Sequence, residues 1–248
     1  MSAIYILWLR QLKRYFRSKA RMIGSIGQPI LFLVALGFGF GPIFEKAGGG
    51  NYLQFLAPGV IAMGILFTAM FMGIEIIWDK QFGFLKETLV APISRMTIML
   101  GRTLGGATVA LAQGVLVFLI AWAIGFRPSF HLIGVAFIFM ILIAMLFTAI
   151  GTAIASVVDD MQGFPLIMNF LVMPLFFLSG SLFPLAGLPG PIETIARLDP
   201  LSYGIDGLRG ALVPGALQFG FWFDFGVLGV ITIIVLGIGA YLFSKIEI

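Results

Sequence analysis

The sequence predicts an all-α polytopic membrane protein with six transmembrane helices and both termini in the cytoplasm. Of its 248 residues, 60% are apolar and only 10% are charged, and this composition is far more apolar than that of a soluble domain. The apolar residues fall into separated blocks, each close to the roughly 20 residues that cross a bilayer as a helix. The chain is therefore predicted to form a single transmembrane domain over residues 1–248.

Six apolar blocks are predicted as membrane spans, and an even number places both termini on one side. The spans are predicted at residues 22–43, 55–78, 98–126, 132–157, 164–182 and 223–243. Most of the 15 lysines and arginines lie before the first span, between the second and third spans, or in the tail. Because cytoplasmic loops carry an excess of lysine and arginine, these segments are assigned to the cytoplasm.

The N-terminal segment, residues 1–21, is predicted to contain an amphipathic helix. Between residues 3 and 20, apolar side chains recur at helical spacing while arginines and lysines fill the remaining arc. Such a helix lies flat on a membrane surface, with its apolar side in lipid and its basic side towards headgroups and water. It either serves only to anchor the topology or also contacts a partner, and the pattern is consistent with both.

The charged stretch WDKQFGFLKETLVAPISR, residues 78–95, interrupts an otherwise apolar chain. Its charges keep it out of lipid, yet Leu85 and Leu89 belong to an apolar side that a solvated turn does not need. We predict a short amphipathic helix over residues 79–90, which ends before Pro92. This helix either rests on lipid headgroups or inserts into a groove on a cytosolic protein.

The section 179–222 is fairly apolar, but its prolines divide it into pieces too short to span a membrane. One piece, PIETIARL, is predicted to form a helix with Glu193 and Arg197 paired one turn apart. A second helix, YGIDGLRGAL, is predicted to be capped by Ser202. Two short helices that re-enter the outer leaflet fit this pattern best.

Motifs for catalysis and nucleotide binding are missing from the sequence. No G-x-x-x-x-G-K-[ST] phosphate loop and no H-E-x-x-H zinc motif occurs. The lone histidine, His131, and the adjacent carboxylates Asp159 and Asp160 are predicted to be solvated loop residues. The chain is therefore expected to be a non-enzymatic protein without catalytic, metal or cofactor residues of its own, and any ATP must be bound by another subunit.

Two ionisable side chains and a row of glycines lie near the ends of the predicted spans. Glu75 is expected to pair at the interface, beside Lys80, and Arg102 is expected to extend towards the headgroups. A proton relay across the membrane would need further ionisable groups at depth. Gly101 and Gly105 are predicted to allow close helix packing inside one subunit.

The order of these elements resembles that of the permease subunits of the type-2 ABC transporter family. The strings FGFLKETLVAPISRMTIMLGRTLGG and FLSGSLFPLAGLPGPIETIARLDPLSYGIDGLRGAL carry the resemblance, which covers nearly the whole chain. It implies a dimer with a second copy or a close paralogue, seated on two copies of a cytosolic ATPase that bind MgATP. Membrane lipid is a further expected partner, and nucleic acid is not.

The resemblance also implies roles for particular residues. The ATPase-coupling helix would comprise Asp79, Lys80, Phe82, Gly83, Phe84, Leu85, Lys86 and Glu87, followed by Pro92 and Arg95. The connecting helix would use Trp8, Arg10, Lys13 and Arg14. The transport pathway would be lined from spans one, two and five by Gln28, Pro29, Thr68, Asn169, Pro174 and Ser179.

One local sequence departs from the family pattern. Where members commonly carry an acid-base-acid triplet and then Gly-Thr-Leu, this chain has Asp79, Lys80 and Gln81 followed by Gly83, Phe84 and Leu85. The altered charge bears on which ATPase the chain accepts.

The function predicted from the resemblance is ATP-driven export of a hydrophobic or amphiphilic compound across the cell membrane. A drug, a lipid or a lipo-oligosaccharide would fit, since 26 phenylalanines outnumber the tyrosines and tryptophans that line sugar pathways. Three alternatives remain: a polysaccharide or glycolipid permease of the same family, an ATP-independent secondary carrier, and a membrane assembly subunit that transports nothing.

Overall fold

The computed structural model describes residues 3–47, 50–185 and 189–246, without the side chains of residues 20 and 21. The regular secondary structure of these described residues is helical. The helices are α1 (Ala3–Arg17), α2 (Lys19–Gly39), α3 (Gly41–Lys46), α4 (Tyr52–Phe71), α5 (Ile74–Gln81), α6 (Phe84–Val90), α7 (Arg95–Ile124), α8 (Ile133–Val157), α9 (Gly163–Leu178), α10 (Gly190–Leu198), α11 (Pro200–Leu212) and α12 (Phe221–Ser244). The all-helical prediction is confirmed for this part of the chain.

Five stretches are long and apolar enough to cross a membrane. They are Met22–Gly39, Tyr52–Gln81, Arg95–Ile124, Ile133–Val157 and Phe221–Ser244. The second of them joins α4 and α5. The remaining predicted span corresponds to α9, which is apolar but has only 16 residues, so it is about 24 Å long at 1.5 Å per residue. The six-span topology therefore stays a prediction.

Helix α4 forms the centre of the bundle. It packs against α2, α7, α8, α9 and α11. In the span that α4 shares with α5, 78% of the apolar 18-residue window is buried, compared with 17% of the corresponding window in α2 and 22% in α12. A helix that is apolar on every side is suited to such a central position. The exposed faces of α2, α9 and α12 are left for lipid or for another subunit.

Glycines bring the central helices into backbone contact. A Cβ atom at Gly151 of α8 would clash with the carbonyl of Met70 in α4, and one at Gly73 would clash with the carbonyl of Gly151. Small residues of this kind allow helices to approach closely in membranes, where packing drives association.

Helix α1 packs on α7 through the predicted glycine face. A Cβ atom at Gly101 would lie 2.8 Å from the Cβ of Leu7, and one at Gly105 would lie 2.6 Å from the Cβ of Gln11. The prediction of close packing inside one subunit is confirmed here. Leu7 and Tyr15, which belong to the predicted apolar side of α1, are buried against protein and not left for lipid. That α1 lies flat on the membrane surface stays a prediction.

The predicted amphipathic helix over residues 79–90 is instead two helices. Helix α5 ends at Gln81, and α6 begins at Phe84. Between them, Gly83 adopts a left-handed conformation with φ of 77°, which is favourable only for glycine. The sequence prediction missed this break, because Gly83 lies inside a run whose apolar spacing suits a single helix.

The proline-divided section contains the two predicted short helices. Pro191 lies in the first turn of α10, and Arg197 pairs with Glu193 at 2.7 Å, as predicted. The predicted Ser202 cap is wrong, because α11 begins at Pro200 and its cap is Asp199, whose carboxylate accepts a hydrogen bond from the Leu201 amide at 2.8 Å. Proline at the first helical position has the fixed φ that suits it to start a helix there.

Candidate coupling site and cavity

A buried carboxylate, Asp79, gathers three arginines at the C-terminal end of α5. Its Oδ1 atom accepts hydrogen bonds from Arg10 at 2.7 Å and from Arg14 at 3.2 Å, both on α1. Its Oδ2 atom accepts one from Arg102 of α7 at 2.7 Å. Asp79 is 1% exposed and Arg102 is 3% exposed, so this pair is shielded from water. Charge-assisted hydrogen bonds of this kind are short and strong, and they hold α1, α5 and α7 together.

Glu75 lies one turn before Asp79 and belongs to the same cluster. It is 2% exposed, and its Oε2 atom lies 3.8 Å from a guanidinium nitrogen of Arg14. The prediction that Glu75 is paired is confirmed, with Arg14 rather than the expected Lys80 as the contact. The prediction that Arg102 extends to the headgroups is wrong, because its guanidinium pairs with Asp79 in the interior.

Lys80 binds the end of α8 instead of facing a partner. Its Nζ atom donates to the carbonyl of Ser156 at 2.7 Å and to that of Val158 at 3.3 Å, and it pairs with Asp159 at 2.8 Å. The Asp159 side chain is otherwise exposed, as predicted. Asp79 and Lys80, two of the predicted coupling residues, therefore use their charges to hold helices of this chain together.

Helix α6 presents a mixed apolar and charged face outwards. Phe84, Lys86, Glu87 and Val90 are exposed, whereas the remaining apolar residues of this helix point into the bundle. Phe82, which precedes the helix, and Pro92, which follows it, are also exposed.

The inner face of α6 is fixed to the bundle. Leu85 and Leu89 are buried, and the guanidinium of Arg95 donates to the Leu89 carbonyl at 3.2 Å. Among the predicted coupling residues, the exposed set is therefore the one that a second protein can reach.

A groove of about 770 Å³ separates α1 from α6. Arg10 and Lys13 line it on the α1 side, and Phe84 and Glu87 line it on the α6 side. Trp8, the remaining predicted residue of the connecting helix, does not line this groove. Its indole N–H donates to the hydroxyl of Thr108 in α7 at 3.0 Å.

Three of the predicted pathway residues line one cavity of about 410 Å³. Gln28 and Pro29 contribute from α2, and Thr68 contributes from α4. Aromatic and sulfur-containing side chains form most of the rest of the wall, and α5 closes it with Ile74 and Trp78. Because Asp79 follows Trp78 in the same helix, the ion cluster and the cavity share a rigid element.

A proline shapes the α2 wall of this cavity. Pro29 has no amide proton, so it cannot donate to the carbonyl of Ser25 four residues earlier. The side-chain amide of Gln113, from α7, donates to that carbonyl at 2.9 Å, and the Ser25 hydroxyl donates back to the Gln113 side-chain oxygen at 3.0 Å. Helix α2 is thereby tied to α7, one turn before its proline, by a reciprocal pair of hydrogen bonds.

The other three predicted pathway residues lie on or after α9, away from this cavity. Asn169 and Pro174 are exposed on α9. Ser179 is buried, and its hydroxyl donates to the Phe176 carbonyl and is bonded to Ser181. Within one copy of the chain the predicted pathway therefore separates into a cavity and an exposed helix face.

Arg209 of α11 is a buried cation that the sequence analysis treated only as an external basic residue. Its guanidinium donates to the Gly180 carbonyl at 2.9 Å and lies 4.0 Å from the ring centroid of Phe55. The same helix places Asp206, which accepts hydrogen bonds from the amides of Gln218 and Phe219. These bonds fasten α11 to the end of α9, to α4 and to the loop before α12.

Metal ligands are not grouped in the described part of the chain, where no cluster of three or more histidine, cysteine or acidic side chains occurs. His131 is exposed between α7 and α8. Asp160 accepts hydrogen bonds from the amides of Gln162 and Gly163, so it starts α9 as a local turn residue.

The five span-length stretches are those of a multi-pass membrane protein. Residues 2–213 match the family model described as ABC-2 type transporter. The chain belongs to this family, whose members are transport permease subunits and not catalytic ones.

Named relatives agree with the family assignment. The chain is 28% identical over 214 residues to "Putative transport permease ycf38" of Cyanophora paradoxa, with 83% of this chain and 72% of the relative covered. It is 30% identical over 214 residues to the protein of the same name from Pyropia yezoensis, with the same coverage. It is 28% identical over 207 residues to "Nodulation protein J" of Rhizobium leguminosarum bv. trifolii, with 83% and 76% covered.

Proposed function

We propose that this chain is the membrane-spanning subunit of an ATP-driven exporter that moves a hydrophobic or amphiphilic compound out of the cytoplasm. The observation that supports this most directly is the connection through α5. Asp79 at its end binds the α1 arginines beside the exposed α6 face, and Ile74 and Trp78 of the same helix line the cavity. A push on α1 and α6 would therefore reach the cavity wall through one rigid element.

The proposed topology keeps six spans, with α9 as the fifth and both termini in the cytoplasm. Because basic residues are concentrated on α1 and around α6, the positive-inside tendency puts both helices on the cytoplasmic side of the cell membrane. Helices α10 and α11 would then re-enter the outer leaflet. The exposed faces of α2 and α9 would meet a second permease, which is a homodimer partner or a close paralogue, and Asn169 and Pro174 would lie at that seam.

In the proposed mechanism, two ATPase subunits bind and hydrolyse MgATP, and each contacts one copy of this chain. The contact would use the exposed residues Phe82, Phe84, Lys86, Glu87 and Val90. Closure of the ATPases would move α6 and α1 together. Because Asp79 ties α1 to α5, the movement would tilt α5 and change the shape of the cavity that α5 closes.

The alternative transport functions receive less support. A polysaccharide or glycolipid permease would need a long polar path, whereas the 410 Å³ cavity is walled mainly by apolar side chains. A proton-coupled secondary carrier would need titratable groups along a path. Glu75, Asp79 and Arg102 instead form one paired cluster at the end of α5.

The test is purification of the chain with its natural neighbours, followed by a search for a bound ATPase. Phe84→Asp places a charge on the exposed α6 face and is expected to abolish ATPase binding and transport. Phe130→Asp is the matched control, because this phenylalanine is also about half exposed, at 55% compared with 50% for Phe84, but lies in the turn between α7 and α8. Absence of any bound ATPase, together with ATP-independent flux in liposomes, would overturn the proposal.

A further inference from the structure

The described wall of the cavity between α2, α4 and α5 carries no formal charge. Its lining side chains include Gln28, Thr68, Met63, Phe67 and Trp78, and among the residues whose side chains the structure describes, no aspartate, glutamate, lysine, arginine or histidine lines it. Its volume of about 410 Å³ falls in the range of 300–1,000 Å³ that is usual for small-molecule sites. A cavity of this size and character accepts a compact apolar molecule.

Two polar side chains in the wall are available for a ligand. Gln28 and Thr68 have no hydrogen-bond partner among the residues that the structure describes, and both are only partly exposed. By contrast, the Ser25 hydroxyl lies within hydrogen-bond distance of the Met22 carbonyl and of the Gln113 side-chain oxygen. The free side-chain amide offers both a donor and an acceptor, and the free hydroxyl does the same. Together they match one neutral polar group, such as a hydroxyl, an amide or an amine N–H.

Among the described side chains, the ionic groups nearest the cavity are paired with one another. Arg14 approaches the ring of Trp78 at 5.9 Å, but its guanidinium is paired with Asp79 and lies beside Glu75. A ligand that carried an unpaired charge into the cavity would lose its hydration without gaining a counter-ion, and this is costly in an apolar surrounding.

We propose that this cavity binds an uncharged amphiphile of drug-like size, which directs one neutral hydrogen-bonding group towards Gln28 and Thr68. The inference rests on the proposed export function and names the class of compound that the exporter selects. Charged molecules of the same shape are excluded at this site.

The test measures binding to the full-length chain in phosphatidylcholine nanodiscs, with empty nanodiscs subtracted. The neutral probe is the fluorescent dye N-phenyl-1-naphthylamine, and its charged counterpart is 8-anilino-1-naphthalenesulfonate, which has a closely similar ring system. We expect saturable binding of the neutral dye and binding of the sulfonate that is weaker by about tenfold or more, since burying an unpaired charge is costly. Equal affinity for the two dyes, or no saturable binding of the neutral dye, overturns the proposal.

Two glycines of α2 supply a matched pair of variants. Gly24 lines the cavity and Gly27 does not, and a Cβ atom at either position meets no atom within 4 Å. Gly24→Leu is expected to weaken binding of the neutral dye strongly, and Gly27→Leu is expected to leave it unchanged. Equal losses in the two variants overturn the location of the site.

A third variant tests the hydrogen bond. Thr68→Val removes the hydroxyl at nearly constant shape and is expected to weaken the neutral dye by about 2- to 10-fold, the usual effect of one hydrogen bond. No change would overturn the role of Thr68 in recognition. Failure of the cavity proposal can be distinguished from failure of the proposed export function. Dye binding is measured without an ATPase, and ATPase association is measured without the dye.

Discussion

The removal of the Asp79 charge gives the sharpest test of the ion cluster. Asp79→Asn keeps the side-chain shape but leaves the guanidinium of Arg102, which is 3% exposed, without its anionic partner. Loss of one partner from a buried pair costs about 3–5 kcal/mol. Arg10→Gln is expected to cost less than about 1 kcal/mol, because Arg10 is 38% exposed and Arg14 still binds the same carboxylate oxygen.

The measurement is equilibrium unfolding of the purified chain and its variants in mixed detergent micelles. The double variant Asp79→Leu with Arg102→Met removes both buried charges and is expected to recover most of the stability lost in Asp79→Asn. Similar losses for Asp79→Asn and Arg10→Gln would refute the conclusion that Asp79 is the buried centre of the cluster. A double variant no more stable than Asp79→Asn would show that the loss has another cause.

Three further predictions concern helix packing, the hydrogen bonds beside Pro29 in α2, and the α11 cap. Gly151→Ala is expected to destabilise the chain by more than about 1 kcal/mol, because the added Cβ would clash with a backbone carbonyl of α4. Gly134→Ala in the same helix is the control and is expected to be neutral, because its Cβ meets nothing within 4 Å. Equal unfolding midpoints for the two variants would contradict the close approach of α4 and α8. Gln113→Leu is expected to lower the free energy of unfolding by about 0.6–1.7 kcal/mol, because it removes the donor to the Ser25 carbonyl. The loss is expected to be smaller in a Pro29→Ala background, where the restored backbone amide can donate to the same carbonyl. A double-mutant cycle of unfolding measurements that shows no coupling between the two positions would contradict this. Burial raises the pKa of Asp199 from 3.8 to about 7. Between about pH 4 and 7 the folded chain therefore holds a proton that the unfolded chain has released, so the free energy of unfolding falls as pH rises through this range. Asp199→Asn is expected to reduce this pH dependence, which is measured by unfolding at pH 5 and pH 8.

The helix pattern was largely predictable from the sequence. Apolar blocks, prolines and the Glu193 to Arg197 spacing correctly indicated α7, α8, α10 and α12, because hydropathy and helix-breaking residues act locally. The errors fell at boundaries set by single backbone positions. Gly83 divides α5 from α6 by its left-handed conformation, and Asp199 rather than Ser202 caps α11.

The candidate site was predictable only in part. The sequence drew attention to Gln28, Pro29 and Thr68 separately, and the structure brings them into one cavity. It also marked Asp79 as part of a charged surface helix, whereas the folded chain buries it. A charged residue near a span end has two options, exposure to water or pairing with an opposite charge, and which one is realised depends on the helices that lie next to it.

The sequence by itself determined that this is a polytopic helical membrane protein without a nucleotide-binding motif, since composition and motif spacing are properties of the linear chain. Only the tertiary structure decided that Arg10, Arg14 and Arg102 converge on Asp79, and that Gln113 satisfies the carbonyl released by Pro29. These contacts join residues far apart in the sequence. They exist because packing of α4, α7 and α8 through small residues fixes which helices are neighbours, and no local pattern encodes that choice.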